Sequence, residues 1–500
     1  MYFTSTRGQV EKLTAAQAIA RGIAPDGGLF VPAAIPSVDE QFIAGLSSLS
    51  YQERATTILQ LFLTDYMKDE LKSCVAGAYG NGKFSDPAVA PVVKIDKGVF
   101  VLELWHGPTS AFKDMALQLL PRLLTCALKK IGEQTEIVIL VATSGDTGKA
   151  ALEGFKDVEQ TKVMVFYPEE GVSRIQRLQM VTQEGKNLKV FAVQGNFDDA
   201  QTGVKRIFND STFNSELAAN GFKLSSANSI NWGRLVPQIV YYFSAYADLV
   251  NSQQIAQGDN VNFVVPTGNF GNILAGFYAK QMGLPIKKLI CASNSNNVLT
   301  DFLMTGVYNR NRRFYKTYSP SMDILISSNL ERLLYHVTEQ DAKQVGRWLE
   351  ELNTTGEYKI GDNHLAALKE VFPAGWVDDA QTTVTIGRVF KKYGYALDPH
   401  TAVAWQVADA YRGQTGDTTP TIIVSTASPF KFNETVLSAL AGAGSFAEQS
   451  GFAVLQQLSQ LINKPVPPAL AALEHKAIRH TMVCQKQDMP TVVKTTLQIK

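Results

Sequence analysis

Cysteine is scarce in this chain of 500 residues, and its four copies, Cys74, Cys126, Cys291 and Cys484, include no CxxC pair. That scatter excludes a disulfide framework and a cysteine zinc site, and it fits a reducing compartment. The six histidines lack metal-ligand spacing, so no catalytic metal is expected. A charge imbalance is missing too. The net charge of +1 offers no electrostatic basis for binding nucleic acid or an anionic membrane surface. No apolar run approaches the roughly 20 residues that span a bilayer. The opening MYFTSTRG lacks the basic-then-apolar order of a secretory signal. Repeats, low-complexity tracts and long charge blocks are absent as well. These absences leave a soluble protein, expected in the cytoplasm.

The composition, 45% hydrophobic and 19% charged, is that of an ordinary globular protein. The length exceeds what one core usually serves and predicts two or three packed units. Up to about residue 85 the pattern is mostly helical, with apolar residues at three- and four-residue spacing over 15–23 and 51–71. Turn signals fill 24–28 and 31–36, and 81–91 reads as a linker. Beyond it, β-rich runs at 99–104, 136–141, 162–167, 188–193, 261–265, 288–292 and 421–425 alternate with helical stretches. Several are near-continuously apolar, as parallel strands covered on both faces are. The expected class is therefore α/β with a mostly parallel sheet. Residues 115–130 read as a helix, with Asp114 at its start, Lys129 and Lys130 in its last turn and Gly132 beyond it. Pro121 predicts a kink or a late start. The tail after about 431 reads as helical, broken at 465–468.

Ligands of such folds bind at the carboxyl ends of strands, and four segments with chemistry fall there. LWHGPTSAFKD at 104–114 holds Lys113 between a Gly-Pro turn and an apolar helix, making it a candidate Schiff-base former. Burial beside Phe112 would lower its pKa, the direction a general base requires. ATSGDTG at 142–148 offers Thr143, Ser144, Asp146 and Thr147 ahead of a helix, an arrangement suited to a small carboxylate or phosphate. Alone, it reads equally as a plain turn with an aspartate N-cap. PTGNFGN at 266–272 has neither the lysine of a nucleotide P-loop nor the spacing of a dinucleotide fingerprint. Its Gly268 and Gly271 make a neutral amide cradle that fits a monoester phosphate. VSTASPFK at 424–431 offers a hydroxyl for a heterocycle nitrogen, though alone it reads as a strand-end turn. Lysine, cradle and hydroxyl together point to pyridoxal phosphate. Other conspicuous residues have plainer readings. His106 is a structural hydrogen-bonder, Asp114 an N-cap or first-turn acid, 310–313 a solvated basic loop, and Tyr241, Tyr242 and Phe243 are core.

At these residues the chain resembles the threonine synthase family of fold-type-II pyridoxal phosphate enzymes. The resemblance runs through YFTSTRG (2–8), GIAPDGGLFVP (22–32), HGPTSAFKDMALQ (106–118), TSGDTG (143–148) and SINWGRLVPQ (229–238). It continues in PTGNFGN (266–272), SNSNNVLTDF (293–302), SPSMDILISSNLERLL (319–334) and STASPFKF (425–432). It implies two mostly parallel-sheet subdomains over 92–430, a largely helical N-terminal domain over 1–85 and a C-terminal helical segment over 431–500. It further implies that Lys113 carries the cofactor covalently, Gly268, Asn269, Phe270, Gly271 and Asn272 take its phosphate, and Thr426 faces the ring nitrogen. Asp146 would lie at the ring oxygen, where many fold-type-II relatives have asparagine. Thr143, Ser144, Thr147, Asn231 and Arg234 would contact the substrate, with Lys149 and Arg234 candidates for its phosphate.

The implied reaction turns O-phospho-L-homoserine and water into L-threonine and phosphate by β,γ-elimination-replacement. The expected partner is thus an amino-acid phosphoester, with no nucleic acid or membrane, in a monomer or homodimer. Another fold-type-II lyase and an inactive binding relative are the alternatives. Two departures stand out. The family pattern TAHPAKF has Ser428 and Phe430 in place of histidine and alanine here, and SINWAR has Gly233 in place of alanine.

Overall fold

All seven apolar runs are strands in the computed structural model, which describes the chain except residues 144, 170, 171, 443, 445–450 and 500 and the side chains of 197 and 198. They divide between two sheets. The first has the order Ala374–Trp376, Ile286–Ser293, Val261–Pro266, Thr421–Ser425, Val99–Glu103, Val92–Asp96. Its pairs are parallel except the last, where Val92–Asp96 runs antiparallel to its neighbour. The second is parallel throughout: Met482–Gln485, Leu188–Gln194, Thr161–Pro168, Glu136–Ala142, Phe222–Ser225. The fold is thus α/β with two mostly parallel sheets. One difference from the sequence reading is that the helical tail also supplies an edge strand, Met482–Gln485, to the second sheet.

The N-terminal part departs in two ways. Phe3–Ser5 pairs antiparallel with Phe30–Pro32, so a small ribbon accompanies its helices. The expected helix over 51–71 is two, Tyr51–Phe62 and Lys68–Tyr79. The break follows from competing caps. Asp65 leaves the helix to accept the Ala16 N–H at 2.9 Å, while Glu70 accepts the Met67 N–H at 2.7 Å and starts a new helix. Pro121 likewise splits the stretch after Lys113 into Asp114–Leu117 and Leu120–Ile131, the second ending on Gly132 at φ 68°.

Helix Trp232–Asn251 is apolar nearly all round, as a buried helix must be, and Tyr241, Tyr242 and Phe243 are fully enclosed in it. Its Trp232 ring lies 5.3 Å from Phe3, 5.6 Å from Phe62 and 5.4 Å from Tyr278, welding the N-terminal helices to the core. No described helix is long and apolar enough to cross a membrane. Strands Val99–Glu103, Thr421–Ser425 and Val261–Pro266 are adjacent, so the segments at their carboxyl ends converge. Across from them lies the end of Glu136–Ala142. Between them opens a cavity of about 1280 Å³ lined by Lys113, Thr143, Asp146, Gly268 and Thr426.

Candidate active site

Lys113 sits where the chain leaves strand Val99–Glu103, on a turn with little freedom. Phe112 donates its N–H to the Thr426 carbonyl at 2.8 Å, and Ser428 donates its own to Ser110 at 3.1 Å. Asp114 turns its carboxylate back to accept the Thr109 N–H at 2.7 Å and hydroxyl at 2.9 Å. It therefore caps the preceding turn rather than the helix it begins, and burial pushes its carboxyl up to about 7. The Lys113 amine, so placed, lies 3.2 Å from the Ser321 hydroxyl and 3.8 Å from the Asp146 carboxylate. Burial brings it down to about 8, against Asp146 and with help from Arg234 and Lys431.

Asp146 opens helix Asp146–Gly154. Its carboxylate takes the Lys431 amine at 2.6 Å and the Gln176 amide at 2.9 Å. Burial works to raise it, yet Lys431 and Lys113 hold it well below the usual carboxylate range. Lys431 is itself enclosed and donates to the Thr109 carbonyl at 3.0 Å, joining this ion pair to the Lys113 turn. Thr143 closes its turn by accepting the Gly145 and Gly148 N–H groups at 3.0 and 2.9 Å, and its hydroxyl donates to no acceptor among the described residues. Thr147 lines the cavity; Ser144 lies outside the described residues.

The cradle forms at the start of helix Gly271–Met282. The N–H groups of residues 268–272 donate to no protein acceptor among the described residues. Phe270 takes φ 61°, a strained value for a phenylalanine, with its ring buried 5.7 Å from that of Phe372. At Gly268 a Cβ would come within 2.6 Å of the Ser321 carbonyl, so only glycine lets these two backbones approach. Asn272 accepts the Tyr241 and Tyr242 hydroxyls at 2.6 and 2.8 Å, while its Nδ2 is buried without a partner. An enclosed donor, free amides and a helix N-terminus make an anion site. Thr426 lines the same cavity, and its hydroxyl makes no hydrogen bond among the described residues.

Other expected residues divide. Arg234 lines the cavity with its guanidinium buried, bonded to the Ala227 carbonyl at 2.5 Å and paired with no described carboxylate; burial brings it down to about 10. Asn231 does not reach the cavity. Its amide caps the helix by accepting the Gly233 N–H at 2.8 Å and ties back to Ile19 at 3.1 Å. Lys149 also points elsewhere, onto Glu153 at 2.9 Å and Gln183. His106 bonds Glu103 at 2.7 Å and Ser85 at 3.0 Å, outside the cavity. Arg310, read from sequence as part of a solvated loop, lines the cavity. Sequence reasoning missed Lys431, Gln176, Ser321 and His400. Only His400 had a local signal, since Asp398-Pro399 marks a helix start; nothing local ties Ser321 or Lys431 to Lys113.

Comparison with known proteins identifies the family. The family described as "Threonine synthase N terminus" matches residues 2–79, "Pyridoxal-phosphate dependent enzyme" matches 87–427, and "Threonine synthase, C-terminal" matches 401–495. The chain is similar to human "Threonine synthase-like 1", 43% identical across 85% of this chain but only 58% of that relative's length. It is 40% identical to the threonine synthase of Pseudomonas aeruginosa, over 87% of this chain and 90% of the relative. The crystal structure of the PLP-bound threonine synthase of Brucella melitensis superposes with a TM-score of 0.87 at 38% identity, covering 99% of each chain. By these matches, the chain belongs to the pyridoxal-phosphate dependent enzymes and, among them, to the threonine synthase family.

Proposed function

We propose that this protein is a threonine synthase, converting O-phospho-L-homoserine and water into L-threonine and inorganic phosphate with pyridoxal 5'-phosphate as cofactor. One observation carries the reading. A buried lysine amine, brought down to about 8, shares a cavity with amide donors, a hydroxyl and an arginine that have, among the described residues, no acceptor, no hydrogen bond and no carboxylate partner respectively. These residues fit the cofactor. Lys113 supplies the amine that holds it, residues 268–272 and the Asn272 amide the donors for its phosphate, and Thr426 a neutral hydroxyl for the ring nitrogen. Bound there, the cofactor supplies an electron sink for cleavage of bonds next to the substrate amine.

The chain's own groups do the rest. With a pKa of about 8, the Lys113 amine is neutral in roughly a tenth of molecules at pH 7. When free, it can take a proton from a substrate carbon and return one. Asp146, kept ionised by Lys431 and 3.8 Å from the Lys113 amine, would be a fixed negative charge beside a cofactor held there. Arg234 offers a desolvated cation for a phosphate or carboxylate, and Thr143 and Thr147 offer hydroxyls beside it. A monomer or homodimer in the cytoplasm belongs to this reading.

Incubating the purified, cofactor-loaded protein with O-phosphohomoserine tests it. Threonine and phosphate in equal amounts are expected. Phosphate with 2-oxobutyrate and no threonine would make it a lyase of another kind, and binding without turnover would leave a binding protein.

A further inference from the structure

Ser321 and His400 face the cavity, and neither has a place in the chemistry above. Ser321 lies on the turn Pro320–Met322, its hydroxyl 3.2 Å from the Lys113 amine. The turn is fixed on several sides. Beyond it, Asp323 accepts Asn294 at 2.8 Å, Asn296 at 2.9 Å and Thr317 at 2.7 Å. Against the cradle, the Ser321 carbonyl occupies the space that a side chain at Gly268 would need. Toward the third side, the Ser321 N–H donates to His400 Nε2 at 3.2 Å.

His400 is buried in the first turn of helix Pro399–Thr415. Its Nδ1 lies 2.8 Å from Asp398, a carboxylate that also accepts the His400 and Thr401 N–H groups. Partners at both ends fix the ring. Nε2 receives an N–H and so must be the bare nitrogen, which leaves the proton on Nδ1, directed at Asp398. Thr401, next along the helix, bonds Ser425 at 3.0 Å and ties the helix to the strand end that carries Thr426. Asp398 thus holds His400, His400 holds the Ser321 backbone N–H, and the Ser321 hydroxyl meets the Lys113 amine.

We propose that Ser321 is a further catalytic residue, the acceptor that orients the Lys113 amine whenever that amine is free, and that His400, oriented by Asp398, is the positioning residue that holds Ser321 in place. The proposal rests on the function above only for the use made of the amine. No covalent bond is made or broken by Ser321. Its oxygen accepts from the ammonium form and steadies it beside Asp146, against the opposing charges of Arg234 and Lys431 and with Asp114 behind.

The test follows the titration of Lys113 itself in the full chain before cofactor is added, by acylation at a series of pH values and mass spectrometry of the Lys113 peptide. Wild type should give a midpoint near 8. Ser321→Ala should lower it by about one pH unit, since a hydrogen bond to the charged form is lost. His400→Phe should produce the same fall. His400→Gln, whose amide oxygen still accepts the Ser321 N–H, should restore the wild-type midpoint. An unchanged midpoint in Ser321→Ala or His400→Phe, or equal shifts in the Phe and Gln variants, would overturn the assignment. Should His400→Phe fail to fold, nitrogen NMR of wild type labelled at histidine decides: a bare Nε2 on His400 is expected, and a protonated one refutes the proposal. None of these readouts depends on turnover, so a failed threonine assay and a failed positioning role for Ser321 and His400 are told apart.

Discussion

Replacing Lys113 with methionine should make the cofactor-free chain more stable at neutral pH, although it abolishes the covalent hold on the cofactor. The amine titrates at about 8 instead of its ordinary 10.5, because it is buried. At ~1.4 kcal/mol per pH unit that gap amounts to about 3 kcal/mol against the folded state. Below pH 8 folded and unfolded chains both carry the proton, and the folded chain bears the whole cost. Between 8 and 10.5 the folded chain sheds its proton first and the cost fades, so wild-type stability rises with pH across that window. Methionine removes the cost without orphaning Asp146, which keeps Lys431 at 2.6 Å and Gln176 at 2.9 Å. Loss of the Ser321 hydrogen bond takes back about 1 kcal/mol. The net expectation is a gain of about 2 kcal/mol at pH 7, shrinking to nothing or less by pH 10.5. Urea unfolding of both cofactor-free proteins at pH 7 and pH 10 measures it, and titrating groups that do not interact with Lys113 cancel in the comparison. A methionine variant less stable than wild type at pH 7, or an advantage that does not shrink with pH, would refute the reasoning.

Lys431→Met should do the opposite: it strips Asp146 of its nearest cation inside the protein, costing about 3–5 kcal/mol in denaturant unfolding. The same variant should raise the Lys113 midpoint, because the repulsion from Lys431 is gone and the Lys113 amine, 3.8 Å away, is then the cation paired with the Asp146 carboxylate. Gly268→Ala should weaken cofactor binding, read by fluorescence titration, since its methyl would meet the Ser321 carbonyl at 2.6 Å and push apart cradle and turn. Arg234→Met should raise the KM for O-phosphohomoserine by tenfold or more while cofactor affinity stays near wild type, because the guanidinium lines the cavity and pairs with no carboxylate among the described residues. Ser428→His should lower stability by about 1–3 kcal/mol in a thermal melt, because position 428 is fully enclosed and a larger side chain there overpacks its surroundings.

The sheets were legible because their central strands are covered on both faces and must be apolar nearly throughout, as in the fully buried Val99–Glu103 and Val261–Pro266. The strands missed lie mainly at edges. Phe222–Ser225 and Met482–Gln485 are half exposed and owe their conformation to a neighbour's hydrogen bonds, which leaves no apolar run to find. Helix periodicity failed at 63–67 for a similar reason. The apolar spacing continues there, but Asp65 is drawn off by Ala16, a partner 49 residues away. Local pattern records local energetics, and such contacts lie outside it.

The site divides along the same line. Glycine-rich turns can be read because their backbone demands specific residue types where they occur. The partners that set charge cannot: Lys431 reaches Asp146, and Ser321 reaches Lys113 across 208 residues. Ser428 shows how the two kinds of information meet. From sequence it is a vacancy where the family has histidine. In the fold its N–H is taken by Ser110, and its hydroxyl caps the Phe430 N–H at 3.3 Å, starting the short turn Pro429–Phe432. That turn aims Lys431 inward at Asp146. Serine suffices for that task, since a cap needs one oxygen close to the backbone. Among the described residues the histidine that lines the cavity is His400, from a different helix. Position 428 therefore acts in this fold through the placement of Lys431, whose amine meets Asp146 at 2.6 Å.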